Sequence, residues 1–419
     1  MSKKLFNKDF LLLWIGQSVS QLGNGAGFIA IMWWVQVKTG SAIALGTLAM
    51  VQTLVGFILS PFAGVVVDRL SRKNIIVITD LLRGIVNCLF AYGVWTGQLT
   101  LPLLFIGAGI NSACAQFFSP AITASIPLLV SDKDLDKANS LRQMTTNIVN
   151  VFGYGLGGVL VALLGIPLLL LINGVSYLLS ALSELFIIIP AVHKEAKLNL
   201  NLFLADLKGG LKYVKDDTTL FKIMQVTVII NFCFLPFIIL LPKFVEDYLG
   251  ASSNVFGYIS SAQAAGMLIA TLIISMTSLI KNNMWLVKWG IGIMSVALLL
   301  SPFVPGQHWW AILLIYAIYG IMITTVNIHF FTALQRRVDS SYMGKVFSLI
   351  NAMALGLQPL ASSLSGIVTE QVGIAPVFIG CALLGVVSNI LLARIPDVDS
   401  FLLDQKAKQS TETAATPAG

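Results

Sequence analysis

Long runs of apolar residues alternate with short polar breaks along almost the whole chain, which has 419 residues. Twelve of these runs are long enough for a helix to cross the hydrocarbon core of a bilayer, which takes about 20 predominantly apolar residues. The pattern therefore predicts a membrane protein with twelve helical spans. The predicted spans are 10–36, 42–67, 74–96, 101–130, 139–164, 166–190, 221–241, 254–280, 285–304, 308–334, 345–369 and 374–395.

The longest hydrophilic stretch lies in the middle of the chain and separates six spans from six. A few residues recur between the two sets, at offsets of 208 to 211 positions. Such parallel repeats are typical of transporters whose two halves face each other across a cavity near the membrane midplane. We therefore predict an all-α membrane fold with two six-helix halves. The predicted divisions are the two halves, 1–190 and 221–395, a cytoplasmic linker, 191–220, and a disordered cytoplasmic tail, 396–419.

The linker contains an amphipathic segment, in which Leu202, Phe203, Leu207 and Leu211 alternate with charged side chains. One interpretation places this segment on the cytoplasmic face of the membrane. The other is a soluble helix packed beneath the bundle. The pattern fits both.

Composition excludes an ordinary soluble enzyme. Hydrophobic residues make up 57% of the chain and charged residues only 11%, whereas a soluble domain carries about 25% charged residues. The net charge is +7, so the placement of the basic residues decides whether a nucleic-acid partner is needed.

The basic residues lie almost entirely in loops on one side of the predicted membrane. That side holds 23 of the 26, while Lys38 and Lys243 fall on the other side and Arg83 lies within a span. Short cytoplasmic loops of membrane proteins are enriched in Lys and Arg. We therefore expect both termini in the cytoplasm of a multi-pass protein of the cell membrane, and nucleic acid need not be invoked.

Several other chemistries lack a sequence signature. Four cysteines occur singly within apolar runs and have no metal-ligand spacing, so they are predicted to be core residues. No GxxxxGK[ST] motif is present, which leaves an ion gradient as the energy source. An intramembrane enzyme, the competing class, would need HExxH or paired aspartates in facing spans, and neither is found.

The loop between the second and third spans packs one carboxylate and three cations into six residues. Gly64 precedes Asp68, Arg69, Arg72 and Lys73 in this segment. A glycine allows a neighbouring helix to approach closely, and the Asp68 carboxylate can accept from an arginine or from backbone N–H groups at a helix start. We interpret the segment as a gate that latches one state of a two-state bundle.

This segment resembles motif A of the major facilitator superfamily, with Ser71 in place of the usual second glycine. Further stretches resemble the drug/proton antiporter branch that includes the macrolide efflux proteins. They are the Asp80–Arg83 pair, 118–130, 138–140, 206–213 and 241–244. The resemblance implies alternating access by rocking of two halves, proton-coupled efflux, and a cavity lined by spans one, four, seven and ten.

The fifth span departs from the pattern of this branch. It carries Gly153, Gly155, Gly157 and Gly158, which resemble the close-packing glycines of the antiporter motif. Tyr154 stands where that motif has a helix-kinking proline.

Ionisable groups inside spans are few, and each costs about 2.5–3.5 kcal/mol to insert. Asp80 and Arg83, three residues apart, share a helix face, which favours a local ion pair supporting the motif A gate over a proton-coupling role. Glu184 has no opposite charge in its own span, so it either pairs across helices or exchanges a proton. His329 is a further candidate, although a lone histidine is more often hydrogen-bonded in a helix interface.

Polar and aromatic side chains in the four cavity-lining spans are the candidate substrate contacts. A broad aromatic wall with a few amides suits a bulky amphipathic molecule. Trp33 and Trp34 are either interfacial anchors or ligand contacts. The candidates are Gln17, Gln21, Asn24, Asn111, Gln116, Phe117, Phe118, Asn231, Phe234, Phe237, Tyr316, Tyr319 and Asn327.

Together these observations predict a monomeric secondary transporter that exports amphipathic drug-like compounds in exchange for protons, with no cofactor and no metal. The alternative within transport is an exporter or flippase of a native metabolite such as a siderophore or lysolipid.

Overall fold

The computed structural model describes residues 5–149, 152–153, 155–190, 200–276, 284–338 and 340–396. Helices account for nearly all of these residues, and no β-strand occurs among them. The parts of the predicted linker and tail at 191–199 and 397–419, together with Tyr154, lie outside the described residues.

The first half contains seven helices that cover the first six predicted spans. Polar side chains mark where the first three begin: Asn7, Ser41 and Ser71 each accept a hydrogen bond from the backbone N–H three residues on. Gly40, at a φ of +58°, ends the first helix in the left-handed conformation. The helices are α1 (Lys8–Thr39), α2 (Ala42–Arg69), α3 (Arg72–Trp95), α4 (Leu101–Leu129), α5 (Leu135–Val149), α6 (Gly155–Leu164) and α7 (Ile166–Leu185).

A helix within the predicted linker and seven helices of the second half follow. The linker helix is α8 (Leu200–Asp216), which packs against the second half, where Tyr213 stacks on Tyr342 with 4.6 Å between ring centroids. A π-helical turn, Phe244–Tyr248, follows the short α10. The remaining helices are α9 (Thr218–Ile239), α10 (Leu241–Lys243), α11 (Ser253–Met276), α12 (Met284–Leu300), α13 (Trp310–Arg337), α14 (Ser340–Val372) and α15 (Ile374–Ala393).

Nine helical stretches among the described residues are long and apolar enough to cross a membrane. The predicted first, fifth and eleventh spans are also helical but fall outside this set. The first is interrupted by Gln17, Gln21 and Asn24, and the fifth is divided between α5 and α6. The all-α architecture is confirmed, with twelve helical segments consistent with the predicted spans.

The two ends of the bundle are distinguished by their charges. The starts of α1 and α9 lie beside the ends of α4 and α15, since Asn7 donates to the Leu129 carbonyl and Thr219 to that of Pro396. We call this the basic end, because the motif A cations belong to it. The opposite end, where Lys243 donates to the Gly40 carbonyl, is the far end.

Within each half, two helices pack closely along a third. In the first half α3 and α1 pack along α7, and in the second half α11 and α12 pack along α13. Glycines allow these approaches. A Cβ on Gly27 of α1 would lie 2.4 Å from Asn173 Nδ2 on α7, and one on Gly320 of α13 would lie 2.1 Å from the Gln263 carbonyl of α11.

The two halves meet through α2 with α14 and α6 with α11. At the second crossing the backbones touch, because a Cβ on Gly158 would lie 2.1 Å from the Gly257 Cα atom. At the first, a Cβ on Gly46 would lie 2.4 Å from the Ser362 carbonyl oxygen. Both crossings lie toward the far end. The far end is therefore closed in this conformation by direct backbone contact between the halves.

Gly158→Leu is expected to hold the far end open, because the new side chain would occupy space filled by the backbone of α11. Spin labels at Lys38→Cys and Ser252→Cys, one in each half at the far end, should report a longer mean distance by pulsed electron resonance. The matched control is Gly380→Leu, since a Cβ at Gly380 meets no atom within 4 Å. An unchanged distance in the Gly158 variant would show that this crossing does not control closure.

Candidate functional site

A cavity of about 420 Å³ lies between the two halves. Helix α1 forms its wall on the first-half side, and α9, α10 and α11 form the opposite wall. The side chains that line it are apolar in the part of the chain that the structure describes, except for the Ser260 hydroxyl and the Gln263 amide. The lining residues are Phe28, Ile29, Met32, Ile238, Leu241, Phe256, Ser260, Gln263, Ala264 and Met267.

Next to this cavity, an aromatic side chain of the first half packs against one of the second half. The Trp33 ring of α1 stacks on Phe256 of α11, with 5.5 Å between centroids and an interplanar angle of 18°. Phe256 itself lines the cavity and precedes Gly257 at the backbone crossing. Trp33 and Trp34 are only 7% and 8% exposed. Both side chains are therefore buried in the bundle, and the interpretation of these tryptophans as interfacial anchors is wrong.

Polar contacts join the halves at the far end as well. Asp247 of the second half accepts a hydrogen bond from Gln36 of α1 at 3.0 Å and pairs with Lys243 at 2.7 Å. Glu370 of α14 accepts from the Ala42 backbone N–H at 2.9 Å, at the start of α2. A carboxylate is favourable there because the first N–H groups of a helix have no partners within it. We call these the far-end contacts.

The aromatic candidates of the second half do not line the cavity. Tyr316 and Phe237 are fully buried, and the Tyr316 hydroxyl donates to the Phe237 carbonyl at 3.3 Å. Phe234 stacks on Tyr319, with 6.0 Å between centroids. These four rings fill the interior of the second half, between α9 and α13. They do not line the cavity in this conformation, and their contact with substrate stays a prediction.

The amide candidates are distributed around the bundle rather than gathered. Gln17 is buried within the first half, while Asn231 and Asn327 are exposed. Asn231 donates to the Thr227 carbonyl of its own helix at 2.9 Å. None of the predicted candidates lines the cavity. The others are partly buried or buried in the first half, namely Gln21, Asn24, Asn111, Gln116, Phe117 and Phe118.

Helix α11 supplies half of the cavity lining and was not among the predicted cavity helices. Its signal in the sequence is the pair Gly257 and Gly266, which leave α11 in contact with α6 on one side and α13 on the other. Gln263 is a polar residue that lies between these two glycines in the sequence. The spacing of the glycines could therefore have marked Gln263 as a candidate cavity residue.

Motif A forms a compact network within the first half. Arg72 Nη2 lies 3.9 Å from Asp68 Oδ1, and Arg72 Nη1 donates to the Ala124 carbonyl of α4 at 2.8 Å. Lys73 Nζ donates to the Leu185 carbonyl at the end of α7 at 2.6 Å. A Cβ on Gly64 would meet no atom within 4 Å, so the expected close approach of a neighbouring helix is absent in this conformation. The space beside Gly64 is consistent with a basic end that is not closed.

A second charged cluster is buried at the seam between α3 and α7. Arg83 Nη1 lies 3.9 Å from Asp80 Oδ1, and its guanidinium covers the Tyr177 ring at 4.3 Å. Glu184, 1% exposed, accepts a hydrogen bond from Ser180 at 3.3 Å. Asp80 and Glu184 lie close enough for their charges to interact. The structure therefore brings Glu184 to the Asp80–Arg83 pair, which no local spacing could predict.

The remaining predicted residues have local roles here. His329 is buried, and its Nδ1 lies 2.8 Å from the Thr325 carbonyl oxygen one turn back on α13. The glycines of the fifth span face other helices: a Cβ on Gly153 would lie 3.2 Å from the Leu22 carbonyl, and one on Gly157 would lie 2.9 Å from the Ile29 side chain. With Gly158 at the α11 crossing, they let the fifth span pack on both α1 and α11. Gly155 begins α6.

Comparison with known proteins gives one family. The model of the Major Facilitator Superfamily matches residues 13–357. Macrolide efflux protein A of Streptococcus pyogenes is 23% identical over 365 residues, which cover 87% of this chain and 90% of that protein. Multidrug efflux pump Tap of Mycolicibacterium fortuitum is 24% identical over 404 residues, covering 93% of this chain and 97% of the pump.

Solved structures share the fold. The nucleoside transporter NupG superposes with a TM-score of 0.68 at 17% identity, covering 92% of this chain and 98% of that one. A bacterial homologue of the iron transporter ferroportin, in its inward-facing state, gives a TM-score of 0.69 at 16% identity, with 92% and 98% covered.

Asp68→Asn is expected to reduce transport strongly while leaving the protein folded and inserted. In this conformation the Asp68 carboxylate is 43% exposed and its pair with Arg72 spans 3.9 Å, so the pair contributes at most about 0.5 kcal/mol. If the carboxylate instead stabilises the state closed at the basic end by about 2 kcal/mol, its loss shifts the equilibrium roughly thirtyfold. Export from cells, with protein level measured by immunoblot, checks this.

The matched control is Lys133→Ala, an exposed basic residue at the same end that lies outside motif A. It should transport normally. Normal transport by Asp68→Asn would mean that the motif A segment only anchors the topology.

Proposed function

The chain belongs to the major facilitator superfamily, and on that premise we propose that it exports bulky amphipathic drug-like compounds in exchange for protons. It is a membrane transporter of small molecules and not an enzyme. The observation that carries the proposal is the apolar cavity between the halves, lined by aromatic and methionine side chains. The names of the macrolide and multidrug efflux relatives support the same substrate class.

The chemistry of the cavity favours broad recognition. Phe28 and Phe256 offer ring faces, and Met32 and Met267 offer flexible, polarisable thioethers that adapt to different shapes. Among the described lining residues, only the side chains of Ser260 and Gln263 can direct a hydrogen bond toward a ligand, and the Ser260 hydroxyl donates to the Phe256 carbonyl at 2.9 Å. Such a site selects for apolar bulk with one polar group rather than for a particular pattern of donors and acceptors.

Export requires that the cavity open alternately to the two ends of the bundle. In the conformation described here the α6–α11 crossing and the far-end contacts close one end. Opening that end must separate Gly158 from Gly257 and break the hydrogen bonds of Glu370 with the Ala42 N–H and of Asp247 with Gln36. A bound ligand moves this equilibrium only through a difference in its affinity for the two states. A proton gradient is the proposed source of energy.

Export depends on the cavity and on the gradient. Cells that produce the protein should accumulate several-fold less of a labelled macrolide or lipophilic dye than cells that do not, and collapsing the proton gradient should abolish the difference. Phe256→Ala should restore accumulation toward the level of cells without the protein, because it removes the ring that lines the cavity. Phe303→Ala, a ring 67% exposed at the far end, is the control and should export normally.

Two outcomes would contradict the proposal. If export continues after the proton gradient is collapsed, export is not coupled to protons. Export of labelled lysolipid, with no effect on the macrolide or the dye, would assign the protein to native lipid transport.

The direction of export depends on orientation, and we propose that the basic end faces the cytoplasm. A reporter enzyme fused after Lys208 should be active only in the cytoplasm, and one inserted between Gly97 and Gln98 only outside the cell. The reverse pattern would invert the direction of transport, and activity of both reporters on one side would overturn the span assignment.

A further inference from the structure

Three charged side chains share one buried site inside the first half. Asp80 is 0% and Glu184 1% exposed, and Arg83 lies within the same seam between α3 and α7. Two carboxylates and one guanidinium sum to a charge of minus one. An isolated net charge in a low-dielectric interior is strongly unfavourable, and a single bound proton removes it.

The hydrogen bonds of the cluster are incomplete in a way that a proton would correct. Both oxygens of Asp80, and Oε2 of Glu184, are buried and without a hydrogen-bond partner among the described residues. Facing carboxylates offer only acceptors to each other, so two ionised groups repel. A proton on one of them supplies the missing donor.

From this geometry we infer that Asp80, Arg83 and Glu184 form a binding site for one proton, carried on Glu184 in the present conformation. The inference deepens the proposed function, because it names where the exchanged proton binds. Glu184 rather than Asp80 carries it because Arg83 makes its ion pair with Asp80, at 3.9 Å. Glu184 has no cation within 4 Å among the described residues and only the Ser180 hydroxyl as a donor.

The groups that surround the cluster are neutral or bonded elsewhere. From α4 the Phe118 ring faces Arg83, and the buried Cys114 thiol lies near enough for the Arg83 charge to act on it. From α7 the Tyr177 ring lies under the guanidinium. From α1 the contact is Gly16, where a Cβ would lie 2.7 Å from Ser183 Oγ.

Charged groups toward the basic end have partners of their own. On α1, Asp9 accepts from the Ile188 backbone N–H at 3.0 Å. On α3, Lys73 donates to the Leu185 carbonyl.

The position of the site allows its protonation state to affect the motif A gate. Arg83 also covers Phe118 of α4 at 5.8 Å, and α4 carries the Ala124 carbonyl that accepts from Arg72 of motif A. Loss of the proton leaves a second carboxylate to compete for Arg83 and draws the guanidinium from the Tyr177 and Phe118 rings toward Glu184. The packing of α3, α4 and α7 around motif A then changes with the proton.

Two measurements on the purified protein in lipid nanodiscs test the site. Infrared difference spectra across a pH titration should show the carbonyl stretch of one protonated buried carboxyl group, and Glu184→Gln should remove that band. Binding of a lipophilic dye should strengthen on the order of tenfold as the proton leaves at rising pH, since exchange requires proton and substrate to oppose each other. In Glu184→Gln the affinity should not depend on pH.

Asp136→Asn, an exposed acid on α5, is the control and should keep both the band and the pH dependence. If the band persists in Glu184→Gln but disappears in Asp80→Asn, the proton is carried by Asp80, and the assignment to Glu184 is wrong. Absence of any such band, with export still dependent on the gradient, would reject the site and leave the proposed function standing. A band lost in Glu184→Gln, with export independent of the gradient, would keep the site and reject proton-coupled export.

Discussion

Contact between the backbones of α6 and α11, at Gly158 and Gly257, brings the two six-helix halves together at the far end. Helices in a bilayer gain no hydrophobic stabilisation from packing on one another, because lipid tails are as apolar as their side chains. Small residues compensate by permitting close van der Waals contact over a long seam. The stacking of Trp33 on Phe256 and the position of the cavity beside that stack both follow from this crossing.

Polar contacts at the far end act differently from this apolar seam. The Glu370 carboxylate at the start of α2, the hydrogen bond from Gln36 to Asp247 and the one from Lys243 to the Gly40 carbonyl join the halves through groups that water can also satisfy. Exchanging such contacts for water changes the free energy little. These contacts therefore fix how the two halves align when the far end closes, and they still allow it to open within a transport cycle. At the basic end, by contrast, Arg72 and Lys73 donate only to carbonyls of their own half in the contacts described.

The buried charge cluster lies in the first half, at the seam between two helices. Asp80, Arg83 and Glu184 lie between α3 and α7, apart from the apolar cavity, which is lined by α1, α9, α10 and α11. Separating the charges from the cavity leaves the cavity wall uncharged, which suits apolar ligands of varied shape. It also means that any linkage between proton and ligand passes through helix packing, for which α1 is the shared element, since it lines the cavity and packs on α7.

Features that depend on neighbours in sequence could be determined without the tertiary structure. Apolar run length gave the helical segments, the central polar stretch gave the two halves, and the spacing of Asp80 and Arg83 placed both on one face of α3. The motif A residues were found for the same reason, since one loop and two helix ends hold them all.

Features that depend on contacts between distant segments were decided only by packing. The partnership of Glu184 with α3 joins residues about a hundred positions apart. The aromatic side chains of Tyr316 and Tyr319 predicted a place in the cavity lining. In the structure, however, the face of α13 that carries them packs toward α9. Gln263 and Phe256 line the cavity because α11 is held between α6 and α13 by glycines on both sides. Helical periodicity shows which residues share a face, but only the packing of the other helices decides what that face meets.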